Sequence, residues 1–390
     1  MVDGVLTTAT MDVLPTWPSS EPLVEPSQLQ YHSLEEQGEI RLFQIHKSDS
    51  YDARTCGTLI KTNLEADYSK RLKFTALSYE WASDNSNHLI TVNGPSFLVR
   101  SNLHNFLLRY RQATGPSSSR HKNVWYRYTN PSSEYDVEYL WIDQICIDQS
   151  SNTERSEQVQ LMSTIYTKAE YVISWLGAEP DVARYLECAN SMVSSCSTSR
   201  DLPLHNRLEV WAHKFVSLRY WKRLWIHQEV LLGKTNLMFM AGEVVASRYQ
   251  LTNLHVYHRT RAELFVERPW PPLLIDMLMY DESSWNWSGN LHLYHVVCTF
   301  SPNDCQDPRD KGYGLLGLVE EVERLKVDYS LSARDLFYKT VAKLLEIGIL
   351  DISEKYTDCD GKGRASSRMD YLRQAEEMRR NLEFLANSMG

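Results

Sequence analysis

Glu229 is the carboxylate in this sequence best placed to do chemistry. It lies in Arg219-Tyr-Trp-Lys-Arg-Leu-Trp-Ile-His-Gln-Glu-Val-Leu-Leu-Gly233, where Trp221, Leu224, Trp225, Leu231 and Leu232 recur at three- and four-residue steps. That spacing predicts one helix through the segment with an apolar stripe, closed by Gly233. Glu229 follows Trp225 by four residues, so carboxylate and indole share a helical face. A carboxyl held against aromatic surface is desolvated and its pKa rises, which suits acid–base or charge-stabilising work. The plainer alternative is a solvated residue at the edge of a core helix. His227 is two residues from Glu229 and falls on another side of the helix, which argues against a His/Glu dyad.

The elements that must position such a group are legible upstream. Phe74-Thr-Ala-Leu-Ser-Tyr79 is a compact apolar run ending in polar groups, the pattern of a buried parallel strand whose C-terminal end opens into a site. Ser78, Tyr79, Glu80 and Trp81 are therefore expected at the carboxyl edge of a sheet, where open α/β folds bind ligands. Trp81 there either stacks on a planar ring of a ligand or simply packs. Tyr139-Leu-Trp-Ile-Asp143 is a second buried strand, with Asp143 placed either to hold a ligand hydroxyl or to cap the next turn. Ser151 and Glu154 have capping-box spacing and open a helix carrying Val159, Met162, Ile165, Tyr166 and Ala169. Tyr171-Val-Ile-Ser-Trp-Leu176, closed by Gly177, is a third buried strand. Strand, helix, strand at this spacing is a βαβ unit, so a parallel sheet with right-handed crossovers follows.

Two arginines are available to grip an anionic group, Arg155 near a helix start and Arg309; an internal ion pair is the simpler role for Arg309, between Pro308 and Asp310. Cys146, within Ile-Cys-Ile, reads as a buried small hydrophobe rather than a nucleophile. No Gly-x-Gly-x-x-Gly or Walker motif is present, so neither a Rossmann-type nor a P-loop nucleotide site is supported.

Elsewhere, Ile40–Ile45 predicts a strand, and His88–Val99 a hairpin turning at Asn93-Gly94. Ser101 caps a helix through Tyr110, and Gly115–Ser119 is an exposed loop. Asp181–Val216 is expected to be helical with an irregular middle. Residues 236–246 and 294–300 are strand candidates, and Pro308 opens a helix through Tyr313, Leu315 and Leu316. Further helices are expected over Ala333–Leu345 and, charged, over Ser366–Met389, while the first 30 or so residues are a Pro-rich lead-in.

The 390 residues are 43% hydrophobic and 23% charged, ordinary for a globular protein, and the net charge of −9 is offset by no basic block. General binding to nucleic acid or to an anionic membrane surface is thereby disfavoured. The seven scattered cysteines form no Cys-x-x-Cys pair, which disfavours a disulfide framework or a structural zinc. No stretch has the apolar length of a membrane span, and the N-terminus has neither the basic nor the apolar region of a secretory signal. A soluble, cytoplasmic protein is expected.

The motifs, taken together, resemble the fungal heterokaryon-incompatibility (HET) domain. They are Ala76-Leu-Ser-Tyr-Glu-Trp81, Leu140-Trp-Ile-Asp-Gln-Ile-Cys-Ile-Asp-Gln149, Glu154-Arg-Ser-Glu-Gln-Val159, Met162 to Tyr166, Ser174-Trp-Leu-Gly177, Arg223-Leu-Trp-Ile-His-Gln-Glu-Val230, Asp307-Pro-Arg-Asp-Lys311 and Val327-Asp-Tyr-Ser330. They occur in the family's order and cover roughly residues 40 to 345. Glu80 and Ala82 stand where the family more often has an uncharged residue and a glycine, and Asp148 replaces its usual asparagine. HET domains in turn are similar to TIR domains. Leu77-Ser-Tyr79 looks like the TIR first-strand motif, Trp141-Ile-Asp143 like the second, and Trp225-Ile-His-Gln-Glu229 like the helix in which a Trp precedes the catalytic Glu by four residues.

The resemblance implies a TIR-like, flavodoxin-like α/β fold: a mainly parallel sheet flanked by helices, with a β-hairpin, helical insertions and a helical C-terminal part. It implies a loose segment over 1–35, a HET domain with this core over 36–235, a mostly helical remainder over 236–350 and a charged tail over 351–390. It also implies hydrolysis of NAD at the nicotinamide–ribose bond, in a cell-death or self/non-self response. Glu229 would be the catalytic carboxylate, with Ser78, Tyr79, Glu80, Trp81, Asp143, Arg155 and Trp225 binding substrate. NAD would be the substrate, with no cofactor and no metal. The alternatives are a non-enzymatic module working by self-association or by docking a signalling protein, and a HET fold recruited for small-molecule biosynthesis.

Overall fold

A computed structural model describes residues 29–46, 54–81, 87–114, 139–194, 205–233, 236–262, 292–300 and 302–357. The N-terminal lead-in before residue 29, the loop at Gly115–Ser119 and the charged helix at Ser366–Met389 fall outside them.

Among the described residues the strands are β1 (Glu39–Ile45), β2 (Cys56–Asn63), β3 (Phe74–Tyr79), β4 (Asn87–Val92), β5 (Ser96–Arg100), β6 (Tyr139–Trp141), β7 (Tyr171–Trp175), β8 (Leu237–Ala241) and β9 (Val244–Ser247). They form one sheet in the order β5-β4-β2-β1-β6-β3-β7-β8-β9. The block β6-β3-β7-β8 is parallel throughout, as the apolar runs imply. Antiparallel pairs at β1–β2, β1–β6, β4–β5 and β8–β9 make the sheet as a whole mixed rather than mainly parallel. Numbered by their place in the chain, the four parallel strands run 2-1-3-4, so the order reverses between β3 and β7. In open α/β sheets ligands bind outside the carboxyl ends of the strands at such a reversal.

The helices are α1 (Ser101–Thr114), α2 (Asp143–Cys146), α3 (Asn152–Lys168), α4 (Pro180–Ser194), α5 (His205–Val216), α6 (Trp225–Gly233), α7 (Arg248–Ala262), α8 (Leu293–Phe300), α9 (Asp310–Tyr313) and α10 (Ala333–Thr357). Every residue of β3 is buried, which fits a strand covered on both faces. α6 packs on β3 and β7 and against α3, while α4 packs on β8 and β9 beside α5 and α7. The hairpin β4–β5 turns at Asn93 (φ 55°) and Gly94 (φ 103°), the left-handed pair that a two-residue turn requires.

Several expectations need correction. Residues 294–300 lie in a helix, α8, which buries Leu293, Val296, Val297 and Phe300 at helical spacing; a short apolar run alone does not distinguish the two states. β2 was not expected, because its Thr58, Lys61 and Asn63 dilute the apolar pattern; its pairing with β1 across seven residues holds it. The helix from Pro308 stops at Tyr313, and a separate 3-10 turn follows at Leu316–Leu318. β8 and β9 extend the same sheet beyond residue 235, so the expected boundary there falls inside the sheet.

The stripe from Trp221 to Leu232 is not one helix. A 3-10 turn over Arg219–Lys222 is followed by an extended Arg223 (φ −74°, ψ 139°), and α6 begins only at Trp225. Two backbone bonds, Leu224 N to Asp304 O (2.8 Å) and Asp304 N to Lys222 O (2.7 Å), pin the break to the segment at residue 304.

Candidate active site

A cleft of about 780 Å³ opens beyond the carboxyl ends of β3 and β6. Its walls come from four places: Glu80 and Trp81 after β3, Asp143 at the start of α2, Arg155 on α3, and Arg223, Trp225 and Glu229 around the start of α6, faced by residues 304–310 and Tyr329. The break at Arg223 has a purpose in this geometry. It turns the guanidinium back to donate to the Tyr79 carbonyl while α6 brings Glu229 over the end of the sheet.

Glu229 is 3% exposed, and a hydrogen bond of 2.5 Å joins its Oε2 to the Ser78 hydroxyl. Burial pushes its carboxyl up to about 7; Arg223 and the Ser78 hydroxyl oppose the rise, and Asp143 adds to it. Ser78 in turn lies 2.6 Å from the Tyr220 hydroxyl, which donates to Ser174 Oγ at 2.8 Å. Among the described residues no ion pair joins Arg223 to Glu229, so the carboxylate is not pinned by the arginine.

Two tryptophans of the lining are fixed in the same way. Trp81 donates its indole N–H to Asp143 Oδ2 (2.9 Å), and Trp225 donates to Asp310 Oδ2 (2.9 Å). Asp143 also accepts from Gln144 N at 2.7 Å, so its two oxygens hold the indole and the following backbone amide. Burial raises both aspartates, Asp310 to about 6, with Tyr329 (2.6 Å to Oδ1) opposing that rise. The Arg100 guanidinium lies 5.5 Å from the Trp81 ring centre, leaving this part of the cleft both aromatic and cationic.

The sequence-derived residues thus separate by position. Glu229, Glu80, Trp81, Asp143, Arg155 and Trp225 line the cleft. Ser78 and Tyr79 are buried behind the lining, where Ser78 holds Glu229 and Tyr79 holds Arg223. Glu80 pairs with Arg219 at 3.5 Å. Arg155 pairs with Asp307 at 3.3 Å and stacks 4.2 Å over Tyr329. Arg309 makes the internal pair, 2.7 Å to Asp307. His227 turns to Phe300, ring centres 4.7 Å apart, and burial lowers it to about 3, so it stays neutral away from Glu229. Cys146 is buried and its thiol is pushed up to about 12, as suits a packing residue.

Four residues of the site were missed: Arg223, Tyr220, Ser174 and Asp310. Ser174, Arg223 and Asp310 stand inside the motifs quoted above, but nothing in their spacing says that they converge. Tyr220 carried no signal beyond its place in an aromatic segment. A possible metal-ligand group among the described residues, His292, Glu320 and Glu323, lies outside the lining; Glu323 there caps α8 through Leu293 N at 2.7 Å. Among the described residues no helix is long and apolar enough to cross a membrane.

Comparison with known proteins agrees with the motifs. Residues 74–229 match the family model described as "Heterokaryon incompatibility protein (HET)", a span that begins with β3 and ends on Glu229 itself. The chain is similar to "Heterokaryon incompatibility protein 6, OR allele" of Neurospora crassa, with 25% identity over 374 residues, covering 79% of this chain and 52% of that protein. It therefore spans about half the length of that curated relative. Both findings show likeness to heterokaryon-incompatibility proteins. No solved structure matches the chain.

Proposed function

We propose that this chain is a HET-domain protein serving a self/non-self response of the cell-death type, and that its cleft hydrolyses NAD at the nicotinamide–ribose bond. The name of the Neurospora relative supports the first part. The second rests on one observation above the others: a buried carboxyl, Glu229, raised to about 7 and reaching a cleft wide enough for a dinucleotide, with tryptophan and arginine on its walls. The 2-1-3-4 order of the parallel strands is that of flavodoxin-like sheets, and a Trp four residues before the Glu fits a TIR-like site.

The chemistry asks little of the protein. The bond between ribose C1′ and the nicotinamide nitrogen breaks with its electron pair going to nitrogen, so a cationic ring leaves as neutral nicotinamide without an acid. The ribosyl group becomes oxocarbenium-like, and a carboxylate beside it stabilises that charge. Water then bonds to C1′ and loses a proton, which Glu229 accepts. Trp81, held by Asp143, stacks on a planar ring, and Arg223 and Arg155 face the pyrophosphate.

The test is release of free nicotinamide from NAD by the full chain, wild type against Glu229→Gln. Turnover lost in the variant supports the proposal. Turnover that survives removes Glu229 as the working carboxylate, and none in wild type, with assembly that grows with concentration, favours a non-enzymatic signalling module.

A further inference from the structure

The register of the central strands builds a feature that NAD cleavage alone does not explain. Ser78 of β3 and Ser174 of β7 are Cα partners in the parallel pairing, so their side chains leave the same face of the sheet. Tyr220 sets its hydroxyl between them, 2.6 Å from Ser78 and 2.8 Å from Ser174. With Glu229 at 2.5 Å from Ser78, four side-chain oxygens form a row: Glu229, Ser78, Tyr220, Ser174. The Tyr166 hydroxyl, which donates to the Leu77 carbonyl at 3.1 Å, is a further neighbour of the Glu229 carboxyl at the row's near end. None of the four residues is more than 3% exposed, so protons within the row must fill its contacts.

The row has three contacts, and two oxygens this close need a proton between them. Tyr220 donates to Ser174, which commits the phenol proton at the far end and leaves the Ser174 proton pointing out of the row. The single proton of Ser78 then serves Glu229 or Tyr220, and not both. With Glu229 ionised, Ser78 donates to the carboxylate and the Ser78–Tyr220 contact is left to facing lone pairs. With Glu229 protonated, Glu229 donates to Ser78, Ser78 donates to Tyr220, and every contact is filled.

We infer that Ser174 and Tyr220 are positioning residues that hold Glu229 protonated at rest by fixing the direction of this hydroxyl row, and that Ser78 must turn from Tyr220 to the carboxylate before Glu229 can work. The inference rests on the reading of Glu229 as the working carboxylate of the cleft. The other titratable or charged groups facing Glu229 are Arg223 ahead of α6, Asp143 on α2, Tyr79 on β3 and Tyr166 on α3. Arg223 opposes the proton and Asp143 favours it. Replacing Ser174 alters none of them, so its effect reports the row alone.

The test is a titration of Glu229 in the full chain labelled with carbon-13 at the glutamate side-chain carboxyl, the resonance being identified by its loss in Glu229→Gln. In Ser174→Ala the phenol proton is released to Ser78, Ser78 donates to Glu229, and the midpoint falls by roughly one pH unit. Ser174→Thr keeps the hydroxyl and restores the wild-type midpoint. Tyr220→Phe removes the acceptor that competes for the Ser78 proton and also lowers the midpoint, whereas Ser78→Ala raises it. An unchanged or raised midpoint in Ser174→Ala overturns the inference; if that variant does not fold, Tyr220→Phe decides on the same sign. Nicotinamide release is followed on the same samples. A shifted midpoint with no release from wild type sinks NAD hydrolysis and leaves the row standing, while release that depends on Glu229 with an unshifted midpoint does the reverse.

Discussion

Trp225 donates its indole N–H to Asp310 Oδ2 across 85 residues of chain, joining the first residue of α6 to the first residue of α9. The other oxygen of Asp310 accepts from the Tyr329 hydroxyl at 2.6 Å. One buried carboxylate therefore fixes two aromatic rings of the cleft wall, and it needs both oxygens as acceptors. Asp310→Asn supplies one acceptor and turns an amide N–H₂ towards a donor. A buried donor left unpaired costs about 1–3 kcal/mol, and that loss of stability is expected in urea unfolding of the variant. Equal midpoints for the two proteins would show that Asp310 anchors neither ring.

The rate of nicotinamide release should follow the ionisation of Glu229. Because the carboxylate is the form that stabilises a ribosyl cation, the rate rises with pH below about 7 and levels off above it. Arg223 opposes the rise of the Glu229 pKa, so Arg223→Gln moves the bend to higher pH. Glu229→Gln is expected to lower the rate by roughly 10²–10³-fold, the size typical of losing one preorganised electrostatic group. A bend that stays in place in Arg223→Gln would separate the rate-determining ionisation from this cleft.

Stability should depend on the same group with a definite sign. Burial raises Glu229 from 4.5 in the unfolded chain to about 7 in the fold, so the folded state holds its proton more tightly. Its contribution is full below the unfolded value and is lost as pH rises through the folded one, a window from about 4.5 to about 7. The shift sets an upper scale of roughly 3 kcal/mol. Glu229→Gln removes this loss, so the variant should gain on wild type in thermal unfolding as pH is raised through the window. Parallel curves for the two proteins would mean that Glu229 is solvated in solution.

The sequence carried some of this arrangement and not the rest, for physical reasons. Phe74–Tyr79, Tyr139–Trp141 and Tyr171–Trp175 could be recognised as strands because a buried parallel strand must be apolar on both faces, whatever its neighbours. Glu229 could be singled out because the four-residue step to Trp225 is local. The break at Arg223 could not, since the Asp304 backbone that causes it lies 81 positions away, as the Lys222–Asn303 bond shows. Ser174 pairs with Ser78 through strand register, and Tyr220 joins them only once the 3-10 turn is set over the sheet. Asp310 reaches the site through α9, far along the chain. Local periodicity names the faces of elements, while the convergence of groups on a site is decided by packing between them.

The buried pair Arg41–Glu154 offers a test of what holds the cleft floor. Ser151 Oγ accepts from Glu154 N at 3.2 Å, as capping-box spacing predicts. The Glu154 carboxylate does not reach back to the cap. It takes Arg41 in a two-pronged contact of 2.5 and 2.9 Å and accepts from Asp148 N at 2.7 Å. Arg41 also donates to the carbonyls of His32 (2.5 Å) and Cys146 (3.2 Å), and its side chain is 3% exposed. β1 is thereby tied to the α2–α3 connection behind Asp143. Glu154→Gln leaves a guanidinium buried without a counter-charge and is expected to cost about 3–5 kcal/mol, because the desolvation penalty of Arg41 remains while its attraction is gone. Replacing both partners, Arg41→Met with Glu154→Leu, removes the penalty together with the attraction and should restore most of the loss. Urea unfolding of the two proteins decides the point: a double variant no more stable than the single one would mean that this contact is held by its backbone bonds and not by the ion pair.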